Sequence, residues 1–155
     1  MSDNTAMNGE EDEEANSLNA EVEDHESIRT ESTISKSLTE IREDFVDEGE
    51  IAPALLLVSV RVERELSSRL QDHFDLSVSE LEGLGLGTEG LGYYLSRCNQ
   101  HDLVAEGYRG DLEKLKNERN NLAHEEGHYY TIQTNEQKHE EMRELIENVI
   151  QFLRD

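Results

Sequence analysis

Residues 117–130 read NERNNLAHEEGHYY, and two sets of chemically capable side chains overlap in them on one histidine. From Arg119 the spacing is R-x-x-x-x-H, ending at His124, with Asn120 directly after the arginine. From His124 it is H-E-x-x-H, with Glu125 beside the first histidine and His128 at the end. The first set suits cleavage of RNA without a metal. An imidazole titrates near neutrality, so it can take a proton from a ribose 2′-hydroxyl or give one to a leaving oxygen. A guanidinium stays charged and can stabilise negative charge growing on a phosphate. The second set suits a zinc hydrolase, in which one unbroken helix places two histidines four apart on one face and the glutamate beside a metal-bound water.

The two sets make opposite demands on the backbone. Gly127 falls inside the second, where a left-handed residue is expected to end the preceding helix. His124 and His128 would then not share a face. A third ligand would have to come from His139, Glu140 or a neighbour, and no spacing singles one out. The metal-independent set, Arg119, Asn120 and His124, is therefore the expected catalytic group, with no metal and no other cofactor.

That set must sit on a helix, and the helix has an oddity. Stepping from Tyr108 by four, three, four and three gives Leu112, Leu115, Arg119 and Leu122, so Arg119 stands where the stripe asks for an apolar side chain. Such an arginine lines a cleft, snorkels to solvent or pairs with a carboxylate. Asn120 precedes His124 by one turn and is placed to orient its ring. His124 taken alone is also a favourable residue near the negative end of a helix dipole.

Helical stripes recur through the rest of the chain. Ile34, Leu38, Ile41 and Phe45 mark a first helix, ended by Gly49. A long one starts near Pro53 and runs to about His73 through Leu55, Val58, Val62, Leu66 and Leu70. Its start is widened by Leu56, Leu57 and Val60, which makes it the central helix. Leu91, Tyr94, Leu95 and Cys98 define a short third helix, and the motif helix runs from about Leu103 to His124, weakened by Gly107 and Gly110. GHYYTIQT reads as a turn and an extended connection. Asn135 then caps a last helix with the stripe Met142, Leu145, Ile146, Val149, Ile150 and Leu153. Between the second and third helices lies a glycine-rich loop with a short helical piece. Its GLGTEG, Gly85 to Gly90, matches a dinucleotide-binding spacing but lacks the strand and βαβ unit that such a site needs. The expected fold is an all-α, up-and-down bundle of four or five helices over residues 31–155.

Residues 1–30 contain ten acids and one base, Arg29, with few apolar side chains, and read as a disordered acidic tail. The whole chain of 155 residues carries 37 acids against 14 bases, for a net charge of −23. That balance resembles the cytoplasmic proteins of salt-loving archaea, whose acidic surfaces stay hydrated in concentrated salt. Cys98, the one cysteine, excludes an internal disulfide and suits a reducing interior as a core residue. IAPALLLVSV is interrupted by Arg61, and no basic, apolar leader opens the chain, so a cytoplasmic location away from membranes is expected.

The long helix IAPALLLVSVRVERELSSRL, the short GYYLSRC and a helix ending RNNLAH before a final helix resemble the HEPN domain of prokaryotic ribonucleases and defence systems. The resemblance covers about residues 34–154. The family motif is R-x4–6-H with a polar residue after the arginine, matched by Arg119, Asn120 and His124. Position 126, tyrosine in the family's toxin subgroup, is Glu126 here. The resemblance implies a metal-independent endoribonuclease acting as a homodimer, with RNA as substrate and, in a toxin–antitoxin or defence setting, an antitoxin or other protein partner. The alternative is a non-catalytic HEPN-like interaction module, with a zinc hydrolase through His124, Glu125 and His128 ranked below it.

Overall fold

The computed structural model describes residues 36–83 and 90–155, and Leu38–Asp155 form one compact unit. The acidic tail, Ile34 and most of the GLGTEG motif lie outside the described residues. Within them the chain is all-α. The elements are α1 (Leu38–Ile41), which runs into a π-helical turn at Arg42–Val46, α2 (Ile51–Phe74), α3 (Val78–Gly83), α4 (Leu91–Gln100), α5 (Glu106–His124), α6 (His128–Thr134) and α7 (Glu136–Arg154). Among the described residues, α2, α4, α5 and α7 match four of the expected stripes, α1 with its π-helical turn holds Leu38, Ile41 and Phe45 of the first, α3 is the short helical piece expected beside the glycine-rich stretch, and α6 is an addition.

The central position expected of the long helix is observed: α2 packs against α4, α5 and α7. Leu55, Val58, Val62, Leu66 and Leu70 are buried, as are Leu91, Leu95 and Cys98 from α4 and Leu112 and Leu115 from α5. Each side chain of this kind contributes about 1.5–3 kcal/mol on leaving water. The last helix buries Met142, Leu145, Ile146, Val149 and Ile150 as its stripe requires, but Phe152 rather than Leu153 is the fully enclosed residue near its end. The Phe152 ring carries the Arg69 guanidinium 4.7 Å above it and meets Tyr108 edge-on, so its aromatic face is in use on both counts. Burial pushes the Cys98 thiol up to about 11, which makes it an inert core group.

Two boundaries and one element type differ from the sequence reading. Helix α2 starts at Ile51, so Pro53 falls in the first turn, where a missing N–H costs nothing. Helix α5 starts at Glu106, because Asp102 adopts a left-handed φ of 56° and Ala105 is extended. GHYYTIQT is helical from His128, not extended. Its β-branched and aromatic residues favour strand, but Ile132 is fully buried, and the Thr131 and Thr134 hydroxyls donate to the carbonyls of Gly127 and Tyr130 one turn back. Burial and satisfied hydroxyls outweigh intrinsic preference.

Short α3 is fixed by a reciprocal cap: Ser77 N–H donates to the Glu80 carboxylate at 2.8 Å, and Glu80 N–H donates to the Ser77 hydroxyl at 3.2 Å. These bonds hold the Glu80 carboxyl below its ordinary value. Asn135 caps α7 as expected, its side chain accepting from Lys138 N–H at 2.8 Å. The start of α2 is capped from far away, since Gln133 of α6 accepts from Ala52 N–H at 2.8 Å and donates to the Gly49 carbonyl at 3.3 Å.

Gly107 and Gly110 do not break α5. A Cβ added at Gly110 meets nothing within 4 Å, so the helix is continuous at an avoidable entropic cost. Gly110→Ala should raise stability by about 1 kcal/mol, read as a higher thermal midpoint. A lowered midpoint would mean that the glycine serves a contact outside this chain.

Candidate functional site

Arg119 projects from α5 toward α2, where its Nη1 lies 3.6 Å from Glu63 Oε1. About a third of its side chain is exposed, and it forms part of the wall of an open groove of about 540 Å³. The groove runs along α2. Val60, Val78 and Tyr94 supply its apolar surface, with Tyr94 nearly buried and Val78 exposed at the start of α3. Glu63, Arg64, Ser67 and Gln71 supply its polar side, the last two joined by a hydrogen bond of 3.3 Å from Gln71 Nε2 to Ser67 Oγ. The apolar place in the seam is thus filled by an arginine that lines a cleft and also has a carboxylate partner. At 3.6 Å and partly solvated, that ion pair contributes about 1 kcal/mol at most.

His124 is the last residue of α5 and is exposed, as is Asn120. They share a helix face by spacing, yet no hydrogen bond joins their side chains among the described residues. Arg119 and His124 are five residues apart on one helix, roughly 140° around its axis. A single chain therefore presents the arginine into the groove and the histidine to solvent, without converging them.

The H-E-x-x-H residues are divided by the backbone. Helix α5 ends at His124, Glu125 is extended, and Gly127 is left-handed with φ 90° before α6 begins at His128. The expected break is present, but the helix already ends at His124, and left-handed Gly127 is the residue that opens α6. His128 then turns to a different task, its Nε2 lying 2.8 Å from Glu118 Oε1. A carboxylate only accepts, so this nitrogen carries the proton. His139, the other histidine weighed as a ligand, places Nδ1 3.1 Å from the Ile132 carbonyl. Among the described residues no cluster of three or more His, Cys, Asp or Glu side chains is set to hold a metal ion. Purified protein should carry no stoichiometric zinc after dialysis. Zinc at one per chain, lost in both His124→Ala and His128→Ala, would show that the second signature operates.

Two features were not found from the sequence. The first is Glu118, one residue before the motif arginine, which accepts from His128 of α6 and, at 2.7 Å, from Lys138 of α7. Burial raises its carboxyl, but these two hydrogen bonds and their charges outweigh that and hold it below the ordinary value of 4.5. This cluster ties three helices together beside the motif. The second is the groove face of α2, Val60, Arg64, Ser67 and Gln71, whose four- and three-residue spacing was masked by the stronger core stripe on the same helix.

No helix among the described residues is long and apolar enough to cross a membrane. No protein-family model, curated protein or solved structure matches the chain.

Proposed function

We propose that the protein is a HEPN-like, metal-independent endoribonuclease that works as a homodimer. The observation that carries this reading is the placement of the motif on α5: Arg119 in an open groove, loosely held by Glu63, and His124 and Asn120 exposed at the end of the same helix. In a dimer that sets two α5 helices side by side, Arg119 of one chain and the partner subunit's His124 complete one site. The 2′-oxygen attacks phosphorus while an imidazole takes its proton, the bond to the 5′-oxygen breaks, and an imidazolium protonates that leaving oxygen. Arg119 stabilises the charge that builds on the phosphate. The products are a 2′,3′-cyclic phosphate and a 5′-hydroxyl, and no metal takes part.

The net charge of −23 opposes RNA binding. Nine of those charges belong to residues 1–30, and in molar salt the Debye length shrinks to roughly 3 Å, which leaves local contacts to decide. The test is incubation of single-stranded RNA with the protein in high salt with EDTA. Slow cleavage leaving cyclic phosphate ends supports the reading, and DNA, lacking the 2′-hydroxyl, should stay intact.

A second reading is a non-catalytic module for an antitoxin or other protein. It is favoured by the Arg119–Glu63 pair, which gives the arginine a structural partner, and by the exposed Leu56, Tyr129 and Tyr130. A folded dimer that leaves diverse RNAs uncut would select it.

A further inference from the structure

We infer that the groove along α2 is a binding site for a nucleotide phosphate of single-stranded RNA, with Arg64 and Arg119 as its two guanidinium ligands. The starting point is an imbalance of charge. In a chain with 37 acids and 14 bases, almost every cation should find a carboxylate. Arg42, Arg69, Arg109, Arg119 and Arg143 do so. Arg64 does not: it is exposed, it lines the groove, and it has no ion pair or hydrogen bond among the described residues. It stands one residue from Glu63, the carboxylate that already serves Arg119.

The groove therefore presents two guanidiniums and one carboxylate, a local excess of positive charge on an acidic protein. Guanidiniums recognise phosphate oxygens by paired N–H donors, which makes a phosphate the fitting anion. Glu63 keeps Arg119 neutralised until such an anion displaces it. The remaining lining suits the rest of a nucleotide. Val60, Val78 and the Tyr94 ring offer an apolar wall to a ribose or base, and Gln71 and Ser67 keep unused hydrogen-bonding capacity after bonding one another. The volume of about 540 Å³ lies within the range of small-ligand clefts. The inference uses the proposed nuclease activity only in naming RNA as the source of the phosphate. Arg64 is a binding and positioning residue that holds the strand beside Arg119.

The test uses the full chain and a fluorescent oligoribonucleotide whose 2′-hydroxyls are methylated, so that it cannot be cut, followed by anisotropy at one fixed salt concentration. The oligonucleotide should bind, and adenosine 5′-monophosphate should compete where adenosine does not. Arg64→Ala should weaken binding about tenfold or more, and Arg64→Lys should recover part of it. Glu63→Gln, by releasing Arg119, should tighten binding about threefold. Arg154→Ala, an exposed cation in the last turn of α7, should change nothing. Unchanged affinity in Arg64→Ala overturns the site, as does competition by adenosine equal to that of its monophosphate. Displacement by an acidic peptide as effective as that by the monophosphate overturns the nucleotide assignment in favour of a protein partner. Arg64-dependent binding by a protein that never cuts RNA upholds the groove and defeats the nuclease reading. Full cleavage by Arg64→Ala does the reverse.

Discussion

Arg119→Ala and His124→Ala should each reduce RNA cleavage by about 10³-fold or more, without unfolding the protein. Neither side chain is in the buried core, so both variants should keep the helical spectrum of wild type and its unfolding free energy to within about 1 kcal/mol. The losses arise differently. Without the imidazole, the 2′-hydroxyl proton must go to solvent. Without the guanidinium, charge on the phosphate is left facing Glu63 in the groove wall, and a carboxylate there repels it. Asn120→Ala should cost less, about tenfold, since on the proposed reading it would act only by orienting a neighbour. If each site draws one residue from each chain, a mixture of the two inactive variants should regain part of the activity, since some heterodimers keep one intact Arg119 and one intact His124. Recovery on mixing would establish the composite site, and persistent activity in either single variant would remove that residue from the chemistry.

Glu118→Gln should destabilise the protein by about 2 kcal/mol at neutral pH, the range for hydrogen bonds to charged groups that are partly withdrawn from water. The carboxylate is largely buried, as is the His128 ring, and Lys138 reaches it from α7. Amide for carboxylate leaves both donors facing a neutral partner. The sign of the pH dependence follows from the depressed carboxyl. A group whose folded pKa lies below its unfolded value stabilises the fold fully above the unfolded value, here near 4.5, and loses that contribution as pH falls through the folded value. The gap in thermal midpoint between wild type and Glu118→Gln should therefore be widest above about pH 5 and should close in acid. A gap that stays constant through that range would show that the effect is one of packing.

Much of the fold was legible because its physics is local and periodic. The stripes of α2, α4 and α7 follow from apolar spacing, and the cap at Asn135 from the residue type. Most of what was not legible depends on contacts between distant segments. Ile132 could drive α6 into helix only once the core existed to receive it. The Ser77–Glu80 pair was readable as a capping signature, but its glycine-rich surroundings obscured it. At the site, Arg119 announced itself by standing in an apolar register. Arg64 did not, because on a polar helix face an arginine is unremarkable until its lack of a partner is visible. Glu118 was hidden for the opposite reason: one more acid in an acidic chain carries no signal, and its two partners come from other helices.

The Gln133 side chain that closes the start of α2 bridges 81 positions of sequence to reach Ala52. During synthesis, α2, the longest helix among the described residues, leaves the ribosome with its opening turn unfinished, and the group that finishes it is added only 81 residues later. Folding is thereby ordered in time: the groove-bearing helix can form early as a rod, but it acquires its final seating after the motif helix and α6 have been translated. A nascent fragment ending before residue 133 should hold α2 loosely at its head.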